Sequence, residues 1–116
     1  MRADVPTLRA ALWANFALQR LRRDLRRSHL AEVQVRPPRF VSPEATRGVT
    51  GLLRRRKATC LERSLVLQRW YAAQGIPRTV IIGVRAPSEG FAAHAWLEGD
   101  PAETGQPFSE LHRLAP

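Results

Sequence analysis

The sequence contains one cysteine, Cys60, and it is the side chain best suited to covalent chemistry. The thiolate is the reactive form of cysteine, and the unpaired N–H groups and dipole of a helix N-terminus favour it. Cys60 directly follows Thr59 and opens the segment Cys60-Leu61-Glu62-Arg63-Ser64-Leu65, which reads as the start of a helix. Free cysteine is also among the most buried residue types, so position alone leaves packing and catalysis both open. A nucleophilic thiol needs a base. Of the histidines at positions 29, 94 and 112, His94 stands between alanines in Phe91-Ala92-Ala93-His94-Ala95-Trp96. Small neighbours leave room for another group to approach its imidazole. A lone strand histidine is commonly a satisfied structural residue. A helix-start cysteine followed by a strand histidine, however, is the pair that thiol acyl chemistry brings within hydrogen-bond reach.

A third group, an acid, would orient His94 from its far nitrogen. Asp100, Glu103 and Glu110 are the candidates. If the strand after His94 lies beside it, Glu110 falls opposite the imidazole, whereas Asp100 and Glu103 fall in a loop. Glu98 shares the face of His94 but runs parallel to it. Other chemistries find no seat. One cysteine and three scattered histidines lack metal-ligand spacing. No glycine-rich phosphate loop with Lys and Ser/Thr is present, so no cofactor is expected.

The elements that must position these residues follow from periodicity. Residues 7 to about 30 predict a helix with Thr7 as N-cap. Leu8, Ala11, Leu12, Phe16, Leu18, Leu21 and Leu25 are its apolar positions, and Arg20, Arg22, Arg23, Arg26 and Arg27 fill the other side. This basic amphipathic helix either packs on the core or docks a partner or membrane surface. Pro37-Pro38 forbids helix. Ser42-Pro43-Glu44 reads as a helix start, in which Gly48 and Gly51 predict a poor helix. It ends in Arg54-Arg55-Arg56-Lys57, a run of cations that is either a solvated turn or a substrate-facing patch just ahead of Cys60. Residues 60 to 74 give the best helix, with apolar Leu61, Leu65, Val66, Leu67, Trp70 and Tyr71, a C-terminal Gly75 and a blocking Pro77. The β-branched run from Thr79 to Val84 predicts a buried strand. A turn over 86–90 leads to a second strand, 91–98, with His94, Trp96 and Glu98 on one face and Phe91, Ala93, Ala95 and Leu97 on the other. A loop over 99–107 leads to a short third strand, 107–111. The division is a basic helix with a Pro-rich connection over 1–41 and a core over 42–116, in one compact domain.

The 116 residues suit that single domain, and the 44% apolar content suffices for a core. A single cysteine excludes an intramolecular disulfide, no signal peptide is read at the N-terminus, and no window resembles a membrane span. A cytoplasmic location is expected. The net charge of +9 points to an acidic partner without choosing its kind.

Taken together, Thr59-Cys60-Leu61-Glu62-Arg63-Ser64-Leu65, Gly75-Ile76-Pro77, Ile82-Gly83-Val84 and Phe91-Ala92-Ala93-His94-Ala95-Trp96-Leu97-Glu98 resemble the transglutaminase-like leader peptidases of lasso-peptide biosynthesis, relatives of the microcin-processing protease. The resemblance covers roughly residues 45 to 111. It implies an α+β, papain-like core with the nucleophile at a helix N-terminus packed on a small antiparallel sheet. It implies that Cys60 attacks a peptide bond near the end of a leader peptide, with His94 as base. The family's acid sits a few residues past a Gly-x-Pro turn. Gly105-Gln106-Pro107 matches that turn, so the matching acid is Glu110, a Glu where Asp is more familiar, after a longer loop that keeps Asp100 as the alternative. The implied partners are the precursor leader peptide, a separate leader-binding recognition protein and the lasso cyclase that closes the macrolactam. Three competing readings stand beside this one: a non-catalytic transglutaminase-like binding module, an acyl transferase that accepts amines, and an electrostatic nucleic-acid binder. For the last, the sequence carries no recognised motif, so no specific nucleic acid is expected.

Overall fold

A computed structural model of the chain describes residues 5–27, 33–85, 93–98 and 108–116. Helix α1 spans Val5–Arg27, a single 3-10 turn Pro43–Ala45 leads into α2, Thr46–Arg55, and α3 spans Cys60–Ala72. Strands β1, Val80–Arg85, β2, Ala93–Leu97, and β3, Phe108–Leu114, follow. The expected turn 86–90 and loop 99–107 lie outside the described residues, as do Asp100, Glu103 and the Gly105-Gln106-Pro107 turn.

α1 begins before the expected Thr7 cap, with Pro6 tolerated in the first turn and Arg26 and Arg27 in the last turn, where cations suit the helix dipole. Its buried face differs from the expected one. Thr7, Ala10, Ala14, Ala17, Leu18 and Leu21 face the core. Leu8, Leu12 and Phe16, expected inside, are more than half exposed. Small side chains win this face because α2 lies very close. A Cβ at Gly48 would stand 2.3 Å from the Thr7 carbonyl oxygen, so only glycine permits the approach. The glycines that argued against α2 as a helix are therefore accommodated. Gly48 permits the packing, and Gly51 faces open space.

α3 is buried along most of its length, with Leu65, Val66, Leu67 and Trp70 in the core beside Leu18, Leu21, Val49 and Leu53 of the other helices and Val80 and Leu97 of the sheet. It ends near Gly75, whose φ of 79° is the left-handed conformation that glycine adopts without strain. Trp70 donates its Nε1–H to Thr46 Oγ1 at 2.9 Å, and its ring packs on that of Trp13 at 5.6 Å. These contacts join α3 to α2 and to α1.

The sheet is antiparallel with strand order β2-β1-β3. This corrects the expectation that β3 lies beside β2. β1 takes the centre because Thr79–Val84 is the most continuously β-branched run, suited to burial between two neighbours. Buried Gln68 of α3 donates from Nε2 to the Arg78 carbonyl at 3.0 Å and to the Leu114 carbonyl at 2.7 Å, which fixes the sheet's position along α3. The fold is thus mixed α+β, consistent with a papain-like core.

Candidate active site

Cys60 is the first residue of α3, and the chain around it is shaped by its cap. Thr59 is the N-cap, with extended backbone at φ −68° and ψ 165°. Its Oγ1 accepts from the Glu62 N–H at 3.2 Å, and Glu62 Oε1 accepts from the Thr59 N–H at 2.9 Å. This reciprocal box satisfies two donors at the helix start. The first N–H groups of any helix, here including those of Cys60 and Leu61, have no intrahelical acceptor.

The cap is held from outside by Arg22. Its Nε donates to Glu62 Oε2 at 3.1 Å and its Nη2 to Glu62 Oε1 at 3.2 Å. Nη2 also reaches the carbonyl of Arg56 at 3.0 Å, at the end of α2. One guanidinium therefore joins α1, the α2–α3 connection and the cap of the helix that begins with Cys60. Burial pushes the Glu62 carboxyl upward. The bonds from Arg22 and the Thr59 N–H, with the Arg22 charge, outweigh it and hold the carboxyl below its ordinary value. Sequence reasoning set Arg22 among the arginines opposite the apolar face of α1, as a solvated or a docking side, and gave Glu62 no role. The pattern Thr59-x-x-Glu62 before an apolar run was a readable capping signal; nothing in the sequence marked Arg22.

The half-buried thiol of Cys60 meets β2. The backbone N–H of Ala95 donates to Cys60 Sγ at 3.3 Å. β2 is an edge strand, and this N–H is directed at the sulfur rather than into the β1 ladder. The residue before Ala95 is His94. The fold thus brings the cysteine of one element against the histidine-bearing strand of another, 35 positions apart in sequence. Ala95 and Leu97 are buried, while His94 and Trp96 are half-buried on the opposite face, their rings stacked at 6.0 Å and 23°.

The expected acids sit differently from one another. Glu110 lies on β3, in register with Gly83 of β1, and Gly83 is in turn in register with His94 of β2. His94 and Glu110 therefore occupy one row across the sheet, separated by the one β1 residue without a side chain. A bulge in β3, between the partners of Ile82 and Gly83, sets this register. Asp100, the alternative, is outside the described residues. Glu98 is exposed and pairs with Arg113 at 2.7 Å, at the far end of β2. Among the described residues no group of three His, Cys, Asp or Glu side chains is placed to hold a metal. No helix among them is long and apolar enough to cross a membrane.

A half-buried cysteine at a capped helix start, set against the strand that carries a histidine, is the arrangement of the thiol-dependent acyl-transfer proteins built on a papain-like core. The chain belongs to the transglutaminase-like superfamily, whose family model matches residues 3–115. That span includes α1, so the helix that supplies Arg22 is part of the family's domain. The superfamily includes cysteine peptidases and acyl transferases. Comparison with curated proteins gives no match. Comparison with solved structures gives none either.

Proposed function

We propose that this protein is a cysteine peptidase that removes the leader from a ribosomally made lasso-peptide precursor. The observation that carries the peptidase part is the contact between Cys60 Sγ and the Ala95 N–H, beside His94. The finer assignment rests on the resemblance of the Cys60, Ile82-Gly83-Val84 and His94 segments to that group of leader peptidases.

In this reading His94 takes the thiol proton as Cys60 sulfur attacks the scissile carbonyl carbon. The tetrahedral oxyanion forms beside the backbone N–H of Cys60 at the helix start. Its collapse breaks the C–N bond, and His94 returns the proton to the departing amine, which is the new N-terminus of the core peptide. Water, deprotonated by His94, then attacks the thioester carbonyl and releases the leader acid and the free thiol. Glu110, in the same row of the sheet as His94, is the acid that orients it, and Asp100 is the alternative. The freed amine is the substrate of the cyclase, and a separate leader-binding protein presents the precursor.

The test is incubation of a precursor peptide with the protein, with and without the leader-binding protein, followed by mass spectrometry. Two free fragments should form without added amine. Cys60→Ser and His94→Ala should abolish them, and Glu110→Ala should slow them more than Asp100→Ala. Product that forms only when an amine is supplied would identify an acyl transferase instead. The reverse order of the two acid variants would move the third role to Asp100.

A further inference from the structure

Part of the apolar face of α1 that the sequence predicts as buried forms one wall of a groove. Leu12 and Phe16 are 59% and 67% exposed, and Phe40 across from them is 66% exposed. The groove, of roughly 660 Å³, runs between α1 and the extended segment from Gln34 to Phe40. Large apolar side chains exposed together along one groove, rather than scattered singly, offer a surface that a partner can cover. The walls are fastened. Trp13 packs on buried Trp70, and its Nε1–H donates to the Arg36 carbonyl at 3.0 Å. Arg9 lies over the Phe40 ring at 4.8 Å. A preformed groove avoids the entropy of ordering a loop when it is filled.

Its chemistry selects an occupant. Arg9, Arg20, Arg36 and Arg39 line it, and none makes an ion pair among the described residues. Every cation lining it is arginine, whose planar fork matches carboxylates. Apolar walls with arginines that make no ion pair among the described residues call for carboxylates flanking apolar side chains. A second copy fits poorly, because each chain carries a net charge of +9. A bilayer surface is flat, whereas this surface is a cleft. Nucleic acid would meet the arginines but leave aliphatic Leu12 unmatched.

We propose that this groove docks an acidic peptide segment carrying apolar anchors. From Arg9 to Arg20 the helix rises about 16 Å, which corresponds to about five extended residues or three helical turns of the occupant. The groove is separate from the thiol. Arg22, which faces α3, lies roughly 200° around α1 from Arg20. The occupant is therefore held away from Cys60, as a docking sequence of a substrate or partner protein would be. The inference does not depend on the peptidase reading, because it concerns binding alone.

The experiment pans a random twelve-residue phage-displayed peptide library against the full chain carrying Cys60→Ser. Affinities of the enriched peptides are then measured by fluorescence anisotropy. Enriched peptides should be net acidic with at least two large apolar residues. Phe16→Ser and the double variant Arg36→Glu/Arg39→Glu should each weaken them by about tenfold or more. Circular dichroism of the variants should be unchanged, since the altered side chains are exposed. The proposal fails if no acidic peptides are enriched, or if they bind Phe16→Ser as tightly as the parent. It also fails if phosphatidylglycerol vesicles or a twenty-nucleotide single strand bind more tightly than the peptides with the same dependence on Phe16. A concentration-dependent dimer in sedimentation that Phe16→Ser abolishes would overturn it in favour of self-association.

Discussion

Arg22→Gln tests whether α1 holds the nucleophile's helix in place. The Glu62 side chain is only 12% exposed, whereas Arg22 is 36% exposed. The two partners are therefore unequal when one is removed. Glu62→Gln keeps an acceptor for the Thr59 N–H and leaves behind a guanidinium that water can reach. Arg22→Gln strands a buried carboxylate with the Thr59 N–H as its remaining charge-stabilising donor. A charge-assisted hydrogen bond contributes about 1.5–3 kcal/mol when well buried, and the exposure of Arg22 reduces the pair to about 1 kcal/mol. Adding the desolvated carboxylate, Arg22→Gln should cost about 2 kcal/mol and Glu62→Gln about 1 kcal/mol. For a domain of this size these correspond to drops in Tm of roughly 8 °C and 4 °C. The double variant should be less destabilised than the sum, with a coupling of about 1 kcal/mol.

The same pair predicts a pH dependence of stability. The folded-state pKa of Glu62 lies below its unfolded value, with Arg22 and Thr59 outweighing burial. Between those two values the unfolded chain binds more protons, so stability rises with pH there. The contribution is complete above the unfolded value of about 4.3 and is lost as pH falls through the folded one. Thermal denaturation of parent and Arg22→Gln by circular dichroism should show the full gap at neutral pH and a shrinking gap below about pH 4. Additive single variants, or a gap that is constant down to pH 3, would refute the clamp.

Gly48→Ala and Gly51→Ala should act in opposite directions. The first forces a Cβ against the Thr7 carbonyl and should lower stability by about 2 kcal/mol; the second meets open space and should raise it by up to about 1 kcal/mol through helix propensity. Chemical denaturation of both variants checks this. Ser64 is fully buried with no hydrogen-bond partner for its Oγ among the described residues, so Ser64→Ala should stabilise by about 1 kcal/mol. A loss of stability would show that the hydroxyl is satisfied. Iodoacetamide should alkylate Cys60 faster at neutral pH in the parent than in His94→Ala. Equal rates would remove His94 as the base.

The core of the reading was legible because it rests on local signals. A capped apolar run starting at Cys60, a β-branched strand and an alternating strand through His94 each announce themselves within a dozen residues. The failures share a cause, which is tertiary packing. Leu8, Leu12 and Phe16 are large apolar side chains at helical spacing on α1, which by pattern alone belong inside. The closeness of α2, permitted by Gly48, nevertheless turns the alanine face inward. Strand order is not encoded in strand patterns, so the neighbour of β2 was misjudged and Glu110 moved from beside His94 to one strand beyond it. Arg22 looks like its neighbours Arg20 and Arg23, and only the fold brings Glu62 to it.

The bond between the Ala95 N–H and Cys60 Sγ also bears on how an inactive form should be made. β2 is an edge strand, and edges with unpaired N–H groups invite strand addition and aggregation. The sulfur blocks one such group. Cys60→Ala would open that N–H along with removing the nucleophile, so a loss of activity and a gain of self-association would arrive together. Cys60→Ser keeps an acceptor at the same place. The side chain that would cut a substrate is thus also a gatekeeper of the sheet, and the serine variant separates the two roles.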